Sequence, residues 1–223
     1  MYDDRVKYKK LMLQAKQDYE NTKNPKLLKD IAKYNNIQMA KKISLNSAYG
    51  AIGNNWFRYY DLLVAEAITT SGQLSIRWIE SAVNDYLNDL LKTDNEDYVV
   101  ASDTDSIYVV FDKLVDKVFK EEQDSSRVIP FLDTVAREKI EPFINKSYKD
   151  LHQYVNSYEQ KMQMSREVIA DKGIWTAKKR YILNVHDNEG VRLEEPKLKL
   201  MGIETAKSST PLWVRRRLEK GLE

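Results

Sequence analysis

The chain has no cysteine, so neither a disulfide nor a thiolate-bound zinc can hold it together, and a reducing compartment suits it. It also has no long apolar run. The nearest candidate, residues 62–79, is broken by Glu66, Thr69, Thr70 and Gln73, which rules out a membrane-spanning helix there. The opening Met1-Tyr-Asp-Asp-Arg5 is polar and does not read as a signal peptide. Histidine occurs only as His152 and His186; neither has a ligand-like partner, and both read as surface residues. A large charge excess is missing as well. A net charge of +2 leaves any nucleic-acid surface to be a local patch. Internal repeats and low-complexity linkers are not found. What remains is a globular composition, 42% hydrophobic and 31% charged over 223 residues, enough for one substantial core or two small ones. The expectation is a soluble intracellular chain with no membrane partner.

Taken in order, residues 1 to about 23 lack Gly and Pro and are rich in good helix formers. Lys23-Asn24-Pro25 interrupts them, and Pro25 can open a second helix. Leu28, Ile31, Ile37, Ala40, Ile43 and Leu45 then recur with helical spacing to about residue 55. Two helices joined by so short a turn lie antiparallel. Arg5 stands nineteen residues before Asn24 and Lys42 eighteen after it, so the two are nearly level across the hairpin. Lys9, one turn from Arg5, shares its face. Three cations can converge there, although Lys-rich solvated faces have the same pattern. Lys42, Asn46 and Tyr49, spaced four and three, line one face, and Gly50 and Gly53 follow. Those glycines admit a close neighbour or simply end the helix.

An aromatic connection, residues 54–61, leads into a helix expected from Leu62 to Lys92 with Ile68, Ile76, Ile79, Val83 and Leu87 as its apolar stripe. After a short helix near 113–119 and a charged stretch through Arg127, an amphipathic helix is expected over 129–154. Its inward residues are Phe131, Val135, Ile140 and Phe143, and Pro142 bends it. From Met162 the pattern turns to strands: 168–170, 174–177, 181–185, a turn at 187–190, and 191–193 returning. Lys178-Lys-Arg180 interrupts the sheet pattern with three cations, which is also how edge strands are protected from pairing. Ser208-Ser-Thr-Pro211 reads as the cap of a basic helix over 212–222.

The stretch 97–111 holds two runs of Tyr, Val, Ile and Phe around Asp103-Thr-Asp-Ser106, a hairpin pattern. On an extended backbone Asp103 and Asp105 point to one side. Two carboxylates that close favour a cation between them, and Mg²⁺ takes such oxygens. Asp and Ser are equally ordinary turn residues, so the hairpin alone leaves both readings open.

Together these segments resemble family B DNA polymerases, and within them the T-even bacteriophage branch. Lys42-Ile-Ser-Leu-Asn46-Ser-Ala-Tyr49-Gly50 is similar to the fingers motif K-x-x-x-N-S-x-Y-G. Asp103-Thr-Asp105-Ser106 resembles the palm motif D-T-D-S, and Lys178-Lys179-Arg180-Tyr181 the primer-holding K-K-R-Y. The stretches 56–61 and 199–211 resemble the phage branch most closely. The motifs stand in the family's order and cover nearly the whole chain. The resemblance implies an α+β fold: an antiparallel helical fingers hairpin at 1–55, a partial palm with an antiparallel sheet at 56–207, and the start of a thumb at 208–223.

It implies phosphoryl transfer too. A primer 3′-hydroxyl attacks the α-phosphate of a dNTP, helped by two Mg²⁺ ions. Asp105 is then a metal ligand and Asp103 a second ligand or acidic neighbour. Arg5, Lys9 and Lys42 grip the triphosphate, with Asn46 beside it. Tyr49 and Gly50 border the nascent base pair. Lys179 meets the primer end of a primer–template DNA, Lys178 and Arg180 support its backbone, and Tyr181 either joins them or is structural. If phage-encoded, the chain works in the host cytoplasm.

Three departures are mild: Ser102 replaces a common glycine, Ser165 replaces an acidic residue, and the fingers hairpin is short. A fourth is large. The family's other metal-binding aspartate, in D-x-x-S-L-Y-P, has no counterpart in the 223 residues, and neither does the exonuclease domain. The Mg²⁺ site is therefore expected to be incomplete, and the isolated chain inactive until a chain carrying both complements it. A truncated product has the same sequence. A palm lacking a strand is expected to expose apolar surface. The rival functional class is a non-catalytic module that binds nucleic acid or a partner and inherits the motifs. A reverse-transcriptase-like enzyme fits less well, because of the helix from Lys42 to Gly50.

Overall fold

The computed structural model describes residues 1–120 and 124–222. Two helices open the chain, α1 (Tyr2–Thr22) and α2 (Lys26–Ile52). Lys23 adopts a left-handed conformation (φ 52°) and its N–H closes onto the Tyr19 carbonyl, while Pro25 sits at the cap of α2. This is the break that Lys23-Asn24-Pro25 predicts. The two helices bury little, chiefly Met12, Ala15 and Gln38; Lys41 pairs with Asp4 across them at 3.0 Å, and the Tyr8 and Tyr34 rings meet with centroids 6.3 Å apart.

Helix α3 (Leu62–Leu91) follows a turn in which the Asp61 carboxylate accepts from the Val64 N–H at 3.1 Å, an N-cap. Its expected stripe holds only in part. Ile79, Val83, Leu87 and Leu91, one turn apart, are buried, whereas Ile68 is about half exposed. The first half of α3 instead exposes Leu62, Leu63, Val64, Ile68 and Leu74, next to the exposed Trp56 and Tyr59. The buried half packs against α6 (Glu141–Tyr154) through Ile144, Tyr148 and Leu151. Tyr86 stacks on Phe143, centroids 4.3 Å apart, and the Trp78 indole N–H donates to the Ser147 carbonyl at 3.1 Å.

Strands β1 (Val99–Asp103) and β2 (Ser106–Val109) form a two-stranded antiparallel sheet. It is fastened to α3 by Asn84, whose Oδ1 accepts from the Tyr98 and Val99 N–H groups at 2.9 and 3.1 Å. Helices α4 (Asp112–Phe119) and α5 (Ser125–Val135) come next. The charged stretch expected through Arg127 includes residues 121–123, which lie outside the described residues. The helix expected over 129–154 is α5 and α6 joined by a π-helical turn, Ala136–Ile140, where the Glu141 N–H reaches back to Ala136 O. The irregularity thus lies just before Pro142 and not at it. Proline lacks an N–H and its ring crowds the carbonyl four residues back, and a wider turn upstream accommodates both.

A three-stranded antiparallel sheet, β3 (Val168–Ala177), β4 (Arg180–Asn188) and β5 (Val191–Met201), completes the fold with α7 (Leu212–Lys220). β4 alternates strictly, burying Tyr181, Leu183, Val185 and Asp187. Three expectations change here. Lys178 and Lys179 form the β3–β4 turn instead of an edge strand. Asp187, expected in a turn, is 1% exposed within β4. α7 has Pro211 at its cap with no side-chain cap bond, so Ser208–Thr210 do not cap it. Both histidines are only partly exposed; His186 Nε2 lies 3.4 Å from Asp171 and His152 Nδ1 2.5 Å from Ser157 Oγ. The architecture is mixed helix and antiparallel sheet, the expected α+β class.

Candidate functional site

The first cluster grows from the hairpin. Asp103 ends β1 and pairs with Ser106, leaving Thr104 and Asp105 as a two-residue turn with Thr104 left-handed (φ 57°). The same-side argument for Asp103 and Asp105 therefore does not apply, because alternation needs an extended backbone. Local bonds to Asp103 close the turn. Thr104 Oγ1 donates to Asp103 Oδ1 at 2.9 Å, the Asp105 N–H to Asp103 O at 2.6 Å, and Ser106 Oγ to Asp103 O at 3.2 Å. Ser102 Oγ donates to Glu80 of α3 at 3.1 Å, steadying the strand below. Burial, and after it the charge of Asp105, pushes the Tyr148 phenol up.

Lys179 joins this cluster from far along the chain. Its Nζ lies 3.5 Å from Asp103 Oδ1. Three rings bring the two hairpins together: Tyr108 of β2 meets Trp175 and Tyr181, centroids 5.3 Å away in each case. Burial, then the Tyr181 hydroxyl, pushes the Tyr108 phenol well above its ordinary value. Tyr181 is 5% exposed, so its surroundings suit the structural role. Lys178 is exposed, and Arg180 is partly buried against Glu204, 2.5 Å away.

The second cluster lies between the helical hairpin and the three-stranded sheet, in a cleft of about 640 Å³. Arg5, Lys9 and Lys42 all line it, as the level positions across the hairpin predict. Sequence reasoning did not anticipate the opposite wall, where the β4–β5 turn contributes Glu189 and β5 contributes Lys197 and Lys199. Lys9 pairs with Glu189 at 2.8 Å and Lys199 with Glu167 at 3.0 Å. Asn46, Tyr49 and Gly50 are exposed further along α2, and a Cβ at Gly50 would meet nothing within 4 Å. Asp103 and Asp105 do not line the cation cleft.

On the face of β4 that carries the cleft-lining Val185 is a charge network that motif reading missed. The buried Asp187 accepts from the Arg166 guanidinium and, at 3.0 Å each, from Arg192 Nε and the Gly190 N–H. Arg166 also donates to Asp133 at 2.5 Å. The available signal was the alternation of β4, which places Asp187 on the buried side with Val185 and Leu183.

The donor set at the hairpin is hard oxygen, the type Mg²⁺ takes. Among the described residues, however, no three acidic or histidine side chains are grouped to hold a metal. Two carboxylates completed by phosphate oxygens nevertheless fit that ion's habits. No described helix is long and apolar enough to cross a membrane.

Residues 1–125 match the family model of DNA polymerase family B, a stretch that includes both Lys42–Gly50 and Asp103–Ser106. The DNA-directed DNA polymerase of Escherichia phage RB69 is 50% identical over 192 residues, covering 82% of this chain. That of Enterobacteria phage T4 is 46% identical over 200 residues, covering 84%. A DNA polymerase beta of African swine fever virus is 28% identical over 159 residues, covering 68% of this chain and 12% of its own length. The chain spans about a fifth of the two phage relatives, 21% and 22% of their lengths. With its family match extending over more than half of its residues, the chain belongs to the family B DNA polymerases.

Proposed function

We propose that the chain is the nucleotide- and primer-handling part of a DNA-directed DNA polymerase in phage-type replication in the host cytoplasm, with 1–55 as fingers, 56–207 as partial palm and 208–223 as the beginning of the thumb. It transfers a nucleotide from dNTP to a primer 3′-hydroxyl. The transfer also needs the first palm aspartate, which lies outside these 223 residues. The observation that carries this reading is the approach of Lys179 to Asp103, residues of two motifs distant in sequence.

In this reading Asp105 and Asp103 hold Mg²⁺, which when bound neutralises phosphate charge and polarises the reacting oxygens. Arg5 and Lys42 take the triphosphate of the dNTP from the helical side. Lys9 exchanges Glu189 for phosphate oxygens, a swap made easy because the ion pair is part exposed and such pairs contribute little. Asn46 lies beside the triphosphate, one turn beyond Lys42, and Tyr49 with Gly50 borders the new base pair. Lys179 exchanges Asp103 for a backbone phosphate near the primer end. That step gives the primer a counter-charge and leaves the Asp103 carboxylate to the metal. Lys178 and Arg180 flank the same backbone, and Tyr181 secures the turn from below.

The test is Mg²⁺-dependent primer extension by the chain paired with a polypeptide that carries the exonuclease domain and the first palm aspartate of the family. Extension by the pair and none by the chain alone is the expected outcome. Asp105→Ala abolishes extension in the pair without preventing assembly. Equal extension by parent and Asp105→Ala pairs removes Asp105 from its role. A folded pair that binds primer–template yet never extends it makes the chain a binding module.

A further inference from the structure

Lys179 is the residue on which the primer-binding reading rests, yet its side chain is tied only loosely, through the 3.5 Å ion pair with Asp103. The side chain is 71% exposed, and its backbone sits in the left-handed region at φ 61°, which for a residue with a Cβ costs on the order of 1 kcal/mol. Something outside the turn must hold it. The residue in contact is Gly202, the first after β5. Gly202 is itself left-handed (φ 65°), and a Cβ built on it falls 2.1 Å from the Lys179 carbonyl oxygen and 3.3 Å from Arg180 Cγ. No side chain fits that gap without moving the peptide that follows Lys179. Two residues on, Glu204 Oε1 takes Arg180 Nη2 at 2.5 Å and Lys207 Nζ at 3.1 Å. Between them, Ile203 and Thr205 are buried, anchoring the segment.

We propose that Gly202 and Glu204 are positioning residues for the primer end: the segment 202–205 braces the β3–β4 turn from behind and so sets the Lys179 ammonium against Asp103. The proposal rests on the polymerase reading for its purpose, but the brace can be tested without activity. Gly202 supplies the close backbone approach, and Glu204 tethers the next residue of the turn through Arg180. Arg180 is thus engaged with Glu204, a role beside the DNA backbone support expected of it.

The experiment is zero-length cross-linking of the full chain with a water-soluble carbodiimide, followed by peptide mass spectrometry. This reagent condenses a carboxylate with an amine only when the two are in contact. The parent chain yields a Lys179–Asp103 linked peptide. Gly202→Ala lowers that yield about tenfold, because misplacement on the order of 1 Å is enough to lose a reactive geometry, and Glu204→Gln lowers it by about half that factor. Gly190→Ala is the control. Gly190 is also left-handed (φ 86°) but has open space where a Cβ would go, so it carries the backbone strain without the collision and keeps the parent yield. An unchanged yield in Gly202→Ala, an equal loss in both glycine variants, or no linked peptide in the parent each overturns the proposal. In a complemented polymerase, Gly202→Ala raises the KM for primer–template about tenfold and leaves the KM for dNTP in place; equal movement of both also overturns it. A complemented parent that never extends primers defeats the polymerase reading alone, since the cross-link decides the brace separately.

Discussion

Asp187→Ala tests whether the buried charge network holds the cleft wall. The Asp187 carboxylate is 1% exposed and accepts from two guanidinium groups and one backbone N–H. Removing one partner of a buried pair costs about 3–5 kcal/mol, because the other charge is left without compensation. Two features place this case at the lower end. Arg166 keeps Asp133 as a partner, and Arg192 is 37% exposed, so water can solvate it. A loss of about 3 kcal/mol is a large share of the roughly 5–15 kcal/mol that a domain has. For a chain of this size it corresponds to a fall in Tm of about 6–12 °C. Thermal melting followed by far-UV circular dichroism measures it, with Asp187→Asn, which keeps one acceptor oxygen, falling between variant and parent. The coupling is tested by adding Arg192→Ala, which costs less in the Asp187→Ala background than in the parent. The effect should also reach the site, since the backbone N–H of Glu189 bonds to Glu167 O at 2.5 Å and Glu189 holds Lys9. A melting point within about 1 °C of the parent would falsify the view that this network carries the wall.

Two further outcomes follow from single contacts. Asp61→Ala removes the side-chain cap of α3 and costs about 1 kcal/mol; urea denaturation reads it as a lower midpoint with an unchanged slope, and an unchanged midpoint counts against the cap. Tyr108→Phe changes the alkaline limb of stability. The Tyr108 phenol is raised on folding, first by burial, so its contribution is complete below the unfolded value of about 10 and is lost as pH rises from there toward the folded value. The parent therefore loses stability above about pH 10 more steeply than Tyr108→Phe, and parallel stability profiles would show that Tyr108 is not the group responsible.

The local features were legible because each follows from near neighbours in sequence. Lys23-Asn24-Pro25 breaks a helix wherever it stands, and two helices joined by it must run antiparallel. That is why Arg5, Lys9 and Lys42 could be placed together before any fold was known. The aromatic and β-branched runs around Asp103-Thr-Asp-Ser106 specify a hairpin in the same way, and the family motifs marked which of these features are candidates for the chemistry. Other features depended on which surfaces meet. Helical periodicity assigned Ile68 and Ile79 to one stripe, but α6 covers only the second half of α3, so Ile79 is buried and Ile68 is not. Asp187 resembled a turn residue because turns favour Asp; the length of β4 and the arrival of Arg166 and Arg192 made it a buried hub instead. Gly202 looked like one more glycine until the β4–β5 register set it against the Lys179 carbonyl. Sequence determined the elements and the candidate chemistry, since backbone propensity and motif spacing act over a few residues. Tertiary structure alone decided that Lys179 meets Asp103 and that β4 and β5 close the cation cleft, because such contacts form only when distant segments are packed at fixed register.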